Sequence, residues 1–173
     1  MFVALMAVAE PYRLRRLVSF LDPCSASQRL HEGYQACQGL QAMTSGGWFG
    51  LGLGASREKW VGGLPKPYTD FVYAIVGEEL GLLGTLTVLL LFATLVFAGF
   101  RIAKRTKDPF ARLAASAITV WIAAQALVNI GTVVGLVPVT GIPLPFISFG
   151  GSALVLNLVA LGILLSFARS EPG

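Results

Sequence analysis

The sequence predicts an all-α protein that crosses a membrane several times, and three observations carry that reading. The 173-residue chain is 55% hydrophobic and only 13% charged, with a mean hydropathy of +0.72, whereas about a quarter charged is usual for soluble domains. Two long stretches, Leu80–Phe100 and Leu113–Ala168, contain no charged residue. The basic residues gather at the ends of apolar runs, as Arg13/Arg15/Arg16 and as Arg101/Lys104/Arg105/Lys107/Arg112. Such clusters report orientation and headgroup contact. The net charge of +4 is therefore no signal for nucleic acid.

Residues 1–9 are apolar but too short to span, and they lack the basic start and cleavage site of a signal peptide. They read as the end of a truncated transmembrane helix, and the chain as a piece of a larger protein. Residues 10–69 form a long polar loop. Within it Glu10–Leu21 has Leu14, Leu17, Val18 and Leu21 at helical spacing, with the arginines on or beside the other face and Pro11 in the first turn. That pattern suits an amphipathic helix lying in the membrane interface, ended by Asp22-Pro23. A short helix is expected over Gly33–Thr44. Cys24 and Cys37 fit no metal or redox spacing, and they stand either as two unpaired thiols or as a disulfide in an oxidising compartment. His31 reads as a surface residue.

Ser45–Ser56 then holds five glycines among twelve residues, which lets the backbone approach another chain or a ligand closely. It lacks the Walker lysine spacing, so it is no phosphate loop of that kind. Arg57, Lys59 and Lys66 follow, suited either to anion contact or to a solvated basic loop.

The block Thr69-Asp70-Phe71 to Gly77-Glu78-Glu79-Leu80-Gly81 places three carboxylates just before the uncharged run. A helix from Phe71 to Phe100 would be about 45 Å long at ~1.5 Å per residue, longer than a ~30 Å hydrocarbon core. The Asp70 end should stand in the headgroup layer or beyond, with Glu78 and Glu79 near the boundary. Asp70 or Thr69 is a natural N-cap; an acid at the mouth of a membrane helix also suits chemistry on a lipid-linked substrate. The two roles are compatible.

The 101–112 loop carries five basic residues and one acid, so it is expected to be cytoplasmic. Spans follow at 113–134 and 147–168, joined by an uncharged Pro/Gly loop over 135–146, with a cytoplasmic tail at 169–173. The loops 10–69 and 135–146 are then extracytoplasmic; the Arg13 cluster sits on the wrong side for this rule, which long loops escape, and an anionic ligand would be one reason for it. Trp121, Gln125 and Asn129 share one helical face; the amides either bond a neighbouring helix or line a groove.

With those residues assembled, the chain resembles the C-terminal half of the SEDS family (shape, elongation, division and sporulation), the bacterial FtsW, RodA and SpoVE proteins. The resemblance rests on Gly50-Leu51-Gly52-Leu53-Gly54-Ala55-Ser56, on the Thr69–Gly81 block, and on Gln125-Ala126-Leu127-Val128-Asn129-Ile130-Gly131 leading to Pro138–Ser152. With Pro11-Tyr12-Arg13-Leu14-Arg15-Arg16 these motifs cover nearly the whole chain in family order. It departs at Tyr68, where members often have His, at Lys66, where an acidic or small residue is usual, and at Ala153, which replaces a second Ser.

The resemblance implies a ten-helix peptidoglycan glycosyltransferase of the bacterial plasma membrane, polymerising lipid II into undecaprenyl-linked glycan. Division-type FtsW is the nearer subgroup, with RodA a near relative. Asp70 matches the family's extracytoplasmic aspartate, the implied general base. Ser56, Arg57, Lys59, Lys66, Gln125, Asn129, Thr140, Ser148, Gly150, Gly151 and Ser152 are the implied substrate contacts, and Glu78 and Glu79 support them. A divalent cation, Mg²⁺ or Mn²⁺, is one source of positive charge for a pyrophosphate leaving group. The implied partners are a class B penicillin-binding transpeptidase and other divisome proteins at the septum. The chain on its own is expected to be inactive. A lipid II flippase and a non-catalytic divisome scaffold are the rival readings.

Overall fold

The computed structural model describes Cys24, residues 34–56 and residues 69–169. The expected span end at 1–9, the amphipathic helix at 10–21, and Arg57, Lys59 and Lys66 lie outside the described residues. Among those described the structure is all helix: α1 (Tyr34–Gly46), α2 (Val72–Arg105), α3 (Pro109–Val133) and α4 (Gly151–Arg169). The last three are long and apolar enough to cross a membrane, with mean hydropathies of 2.4, 1.7 and 2.1 over their most apolar windows. The chain is a multi-pass helical membrane protein.

α2 and α3 are joined by a short turn and pack side by side. Gly99 allows the close approach, because a Cβ there would stand 2.3 Å from Thr119 Oγ1; small residues at such crossings are the usual means of packing helices in lipid. Ala103 and Ala115 share a small core with Leu164 of α4 further along the pair. At the other end α1 lies across the start of α2. There Ala42, Phe71, Tyr73, Ala74, Phe92, Ala126, Val133 and Leu144 form the main core. Phe71 is 1% exposed, and Gly39 of α1 leaves room for its ring, which a Cβ would meet at 2.9 Å.

The ends of the helices differ from the sequence expectation for local reasons. α3 starts at Pro109, not 113, because the Asp108 carboxylate accepts from the N–H groups of Phe110 and Ala111 at 3.4 and 3.0 Å, with Pro109 in the first turn, where its missing N–H costs nothing. α4 starts at Gly151, not 147, because residues 144–148 close into a tight turn. There the Leu144 N–H donates to Ser148 Oγ at 2.8 Å and the Ser148 N–H returns to the Leu144 carbonyl at 3.1 Å.

The larger departure is in α2. It is not a single rod: Gly81 sits at φ 67°, ψ −161°, which breaks the helix into Val72–Leu80 and Leu82–Arg105. The glycine-rich segment after α1 fills the break. Leu51 and Gly52 donate to the carbonyls of Glu78 and Glu79 at 2.9 and 3.0 Å, while Leu82 and Leu83 donate to the carbonyls of Gly47 and Trp48 at 2.9 and 3.4 Å. Glycine is required on both sides. Gly81 occupies a positive-φ extended region that is essentially open to glycine only, and a Cβ on Gly50 (φ +78°) would stand 2.1 Å from the Glu79 carbonyl oxygen.

Of the two possibilities left open for the cysteines, the structure has the disulfide: Cys24 is joined to Cys37. Closing a loop of this size constrains the unfolded chain by about 3 kcal/mol. Unreduced, alkylated protein should therefore carry no label at either cysteine by mass spectrometry, and Cys24→Ser should lower stability by about that amount in a thermal melt.

Candidate functional site

The site is built around Asp70, the residue before the Phe71 cap of α2. Sequence left open whether its carboxylate caps the helix. It does not: Phe71 is the N-cap and makes no side-chain capping bond, and the first-turn amides of Ala74 and Ile75 donate to the Phe71 carbonyl at 2.9 and 3.3 Å. The carboxylate faces the Pro/Gly loop instead. At Gly141 (φ +71°) a Cβ would stand 3.6 Å from Asp70 Oδ2, so loop backbone and carboxylate are neighbours.

Asn129 of α3 fixes that juxtaposition. Its Nδ2 donates to the Asp70 carbonyl at 2.9 Å and to the Ile142 carbonyl at 2.7 Å. One buried amide, 2% exposed, thereby ties the entry of α2 to the loop between α3 and α4. Its Oδ1 is enclosed with no partner, as is Oε1 of Gln125 one turn earlier on the same face. The loop is stiffened from its far side by the Leu144–Ser148 clamp. Phe146, the one non-glycine residue with positive φ among those described (64°), packs against the main core.

Asn129→Ala is expected to leave the Asp70 and Ile142 carbonyls without their donor. An orphaned buried group costs about 1–3 kcal/mol, so the melting temperature of the full-length protein in detergent should fall by an amount matching about 2 kcal/mol. An unchanged melt would mean the two carbonyls find other donors.

A second cluster lies at the α2 break. Ser56 Oγ donates to Glu78 Oε2 at 2.5 Å, and both residues are 1% exposed. This pair holds the end of the glycine-rich segment against α2. The structure thus brings Asp70, Asn129 and the 138–145 loop together, and separately Ser56 with Glu78. Thr140, Gly151 and Ser152 are exposed, Gly150 and Gln125 are half-buried, and Ser148 is buried with its hydroxyl in the turn clamp. Glu79 is half-buried, its carbonyl taken by Gly52. Gly81, Gly141 and Phe71 were missed as site-forming residues. The signal available for them was a glycine inside a helical pattern and an aromatic next to the acid.

Among the described residues no three His, Cys, Asp or Glu side chains converge on a common point. No step is routed through the divalent cation implied by the resemblance.

Comparison with known proteins gives these residues a context. Residues 1–172 match the family model of the FtsW/RodA/SpoVE cell cycle proteins. Stage V sporulation protein E of Bacillus subtilis is 48% identical over 168 residues, 97% of this chain and 45% of that protein. The probable peptidoglycan glycosyltransferase FtsW of Mycobacterium tuberculosis is 47% identical over 169 residues, covering 98% and 32%. A protein of the same description from Legionella pneumophila is 43% identical over 166 residues, covering 94% and 41%. A chain of a solved peptidoglycan synthase complex, studied for the structural coordination of polymerization and crosslinking, superposes with a TM-score of 0.73 at 28% identity. That match covers 100% of this chain and 50% of that one. The chain therefore spans from 32% to 45% of the length of these curated relatives. It belongs to the FtsW/RodA/SpoVE family of cell cycle proteins.

Proposed function

We propose that this chain carries the acceptor-activating half of a division-type peptidoglycan glycosyltransferase, with Asp70 as general base. The observation that carries the proposal is the placement of Asp70. Its backbone is tied through Asn129 to Ile142, and its carboxylate faces the glycine of the Pro/Gly loop instead of capping α2.

A sugar hydroxyl is a poor nucleophile, so a base within hydrogen-bond reach should accept its proton as the new bond forms. The acceptor 4-hydroxyl of one lipid-linked disaccharide attacks the anomeric carbon of a second, the bond to undecaprenyl pyrophosphate breaks, and the hydroxyl proton passes to Asp70. One base with an opposed leaving group suits direct inversion, without the paired carboxylates of a retaining glycosidase. The departing pyrophosphate needs cations, and Arg57, Lys59 and Lys66 are the basic residues nearest in sequence to the glycine-rich segment. Ser56 and Glu78, bonded to each other, act as supports for that segment. A class B transpeptidase fits as the partner that crosslinks the product, in line with the synthase complex to which the fold is similar. The Asp70 end faces outward and the C-terminus is cytoplasmic.

The test is lipid II polymerisation by the full-length protein carrying Asp70→Asn, with its transpeptidase present. Glycan of near-normal length and amount would remove Asp70 from the chemistry and favour a flippase or a scaffold.

A further inference from the structure

The turn that fills the α2 break presents a cluster of large apolar side chains that the rest of the described residues leave open. Trp48 is 69% exposed, Phe49 81%, Leu51 44% and Leu53 81%. Contiguous exposed apolar surface of this kind marks a contact with another phase or another molecule. We propose that the Trp48–Leu53 turn is seated in the bilayer, with these four side chains inserted at the interface opposite the Arg101–Arg105 end of α2.

The depth of the turn is set by the backbone. The carbonyls of Gly47 and Trp48 are bonded to the amides of Leu82 and Leu83, so the turn sits where the second part of α2 begins. From Leu82 to Phe100, the last residue before Arg101, the helix rises about 28 Å at ~1.5 Å per residue. That matches a ~30 Å hydrocarbon core. With the basic end held at one headgroup layer, Leu82 reaches the opposite edge of the hydrocarbon and carries the turn with it. Glu78 and Glu79, just beyond the break, lie on the polar side of that edge.

Three further features favour lipid as the occupant. Leu80, Leu82 and Leu83 are 40%, 42% and 51% exposed, so the apolar surface of the turn runs on into that of the span. Trp is the residue most at home where hydrocarbon meets headgroups, and no charge occurs between Ser45 and Ser56, while Arg57 and Lys59 follow at once. Irregular backbone is tolerated near hydrocarbon only when its polar groups are satisfied. Much of this turn's backbone is bonded: besides the bonds across the break, the Gly50 amide donates to the Gly46 carbonyl at 2.8 Å and the Ala55 amide to the Gly52 carbonyl at 3.1 Å, which suits a seat at the interface rather than deep in the hydrocarbon.

The inference is independent of the reaction proposed above. Its test is the immersion depth of a nitroxide attached to Phe49→Cys or Leu53→Cys in the full-length protein, with other unpaired cysteines removed. The protein is reconstituted in phosphatidylethanolamine/phosphatidylglycerol vesicles. Collision with oxygen should exceed collision with a water-soluble nickel chelate at both positions, placing the label about 5–10 Å below the phosphates. A nickel-favoured signal at either position overturns the proposal. Shielding from both reagents also overturns it, because it assigns the turn to a protein interface.

Discussion

Asp70→Asn in the full-length protein is expected to lower the rate of glycan formation from lipid II by roughly 10²–10⁴, the usual cost of losing a general base. That corresponds to about 3–5 kcal/mol of barrier at 1.36 kcal/mol per tenfold. Asn keeps the size of Asp and the backbone carbonyl that Asn129 holds, but its amide takes up no proton at neutral pH. Stability should hardly change, because the Asp70 side chain makes no capping bond to α2. Expression, melting temperature and transpeptidase binding should stay level while polymer disappears from the gel. A fall in melting temperature matching the loss of activity would assign Asp70 a structural part instead.

Gly50→Val is expected to be the most damaging substitution outside the site. A β-branched residue at φ +78° is strained by about 1–2 kcal/mol. Its Cβ would also stand 2.1 Å from the Glu79 carbonyl oxygen, so backbone must move. Moving it breaks the bonds from Leu51 and Gly52 to Glu78 and Glu79, each worth about 1–3 kcal/mol when a buried partner is orphaned. The sum is about 5 kcal/mol, a large part of the 5–15 kcal/mol of a typical domain. Gly52→Ala is the matched control: that position is left-handed too (φ +107°), but nothing lies within 4 Å of an added Cβ. It should cost only the backbone strain. Comparing the two by urea or thermal unfolding in detergent separates conformational strain from collision. Equal losses would mean that the turn does not dock as closely as described.

The three spans were legible in the sequence because hydrophobicity and charge placement act locally, and each helix declares itself over its own residues. Asp70 was legible as a candidate because it opens a block of three carboxylates ahead of a long apolar run, and the family resemblance singled it out from Glu78 and Glu79. What escaped was everything decided by a partner distant in sequence. Ser56 and Ser148 announce a hydroxyl but not its acceptor or donor; the first is bound to Glu78 and the second to Leu144. Asn129 reads first as a helix glue and second as a groove lining, and its actual bonds, to the Asp70 and Ile142 carbonyls, are seen only in the structure. The break at Gly81 was hidden for the same reason. Gly77, Gly84 and Gly99 also interrupt α2, yet only Gly81 leaves the helical region, since it alone faces the backbone of Gly50 and Trp48.

An exchange of partners at that break bears on what keeps α2 bent. In an uninterrupted α2 the Leu82 and Leu83 amides would bond the Glu78 and Glu79 carbonyls, four residues back. In the folded chain those same carbonyls take Leu51 and Gly52, while the freed amides take Gly47 and Trp48. Without the docked turn, α2 could therefore be straight with these groups satisfied within the helix. Docking then trades two bonds within the helix for four across it. The bend of α2, and with it the placing of Asp70 at its outer end, is thus held by the docked turn rather than by α2 alone. Deuterium uptake at the Leu51 and Gly52 amides should accordingly be slow in the native protein and fast in Gly50→Val, where the turn cannot dock.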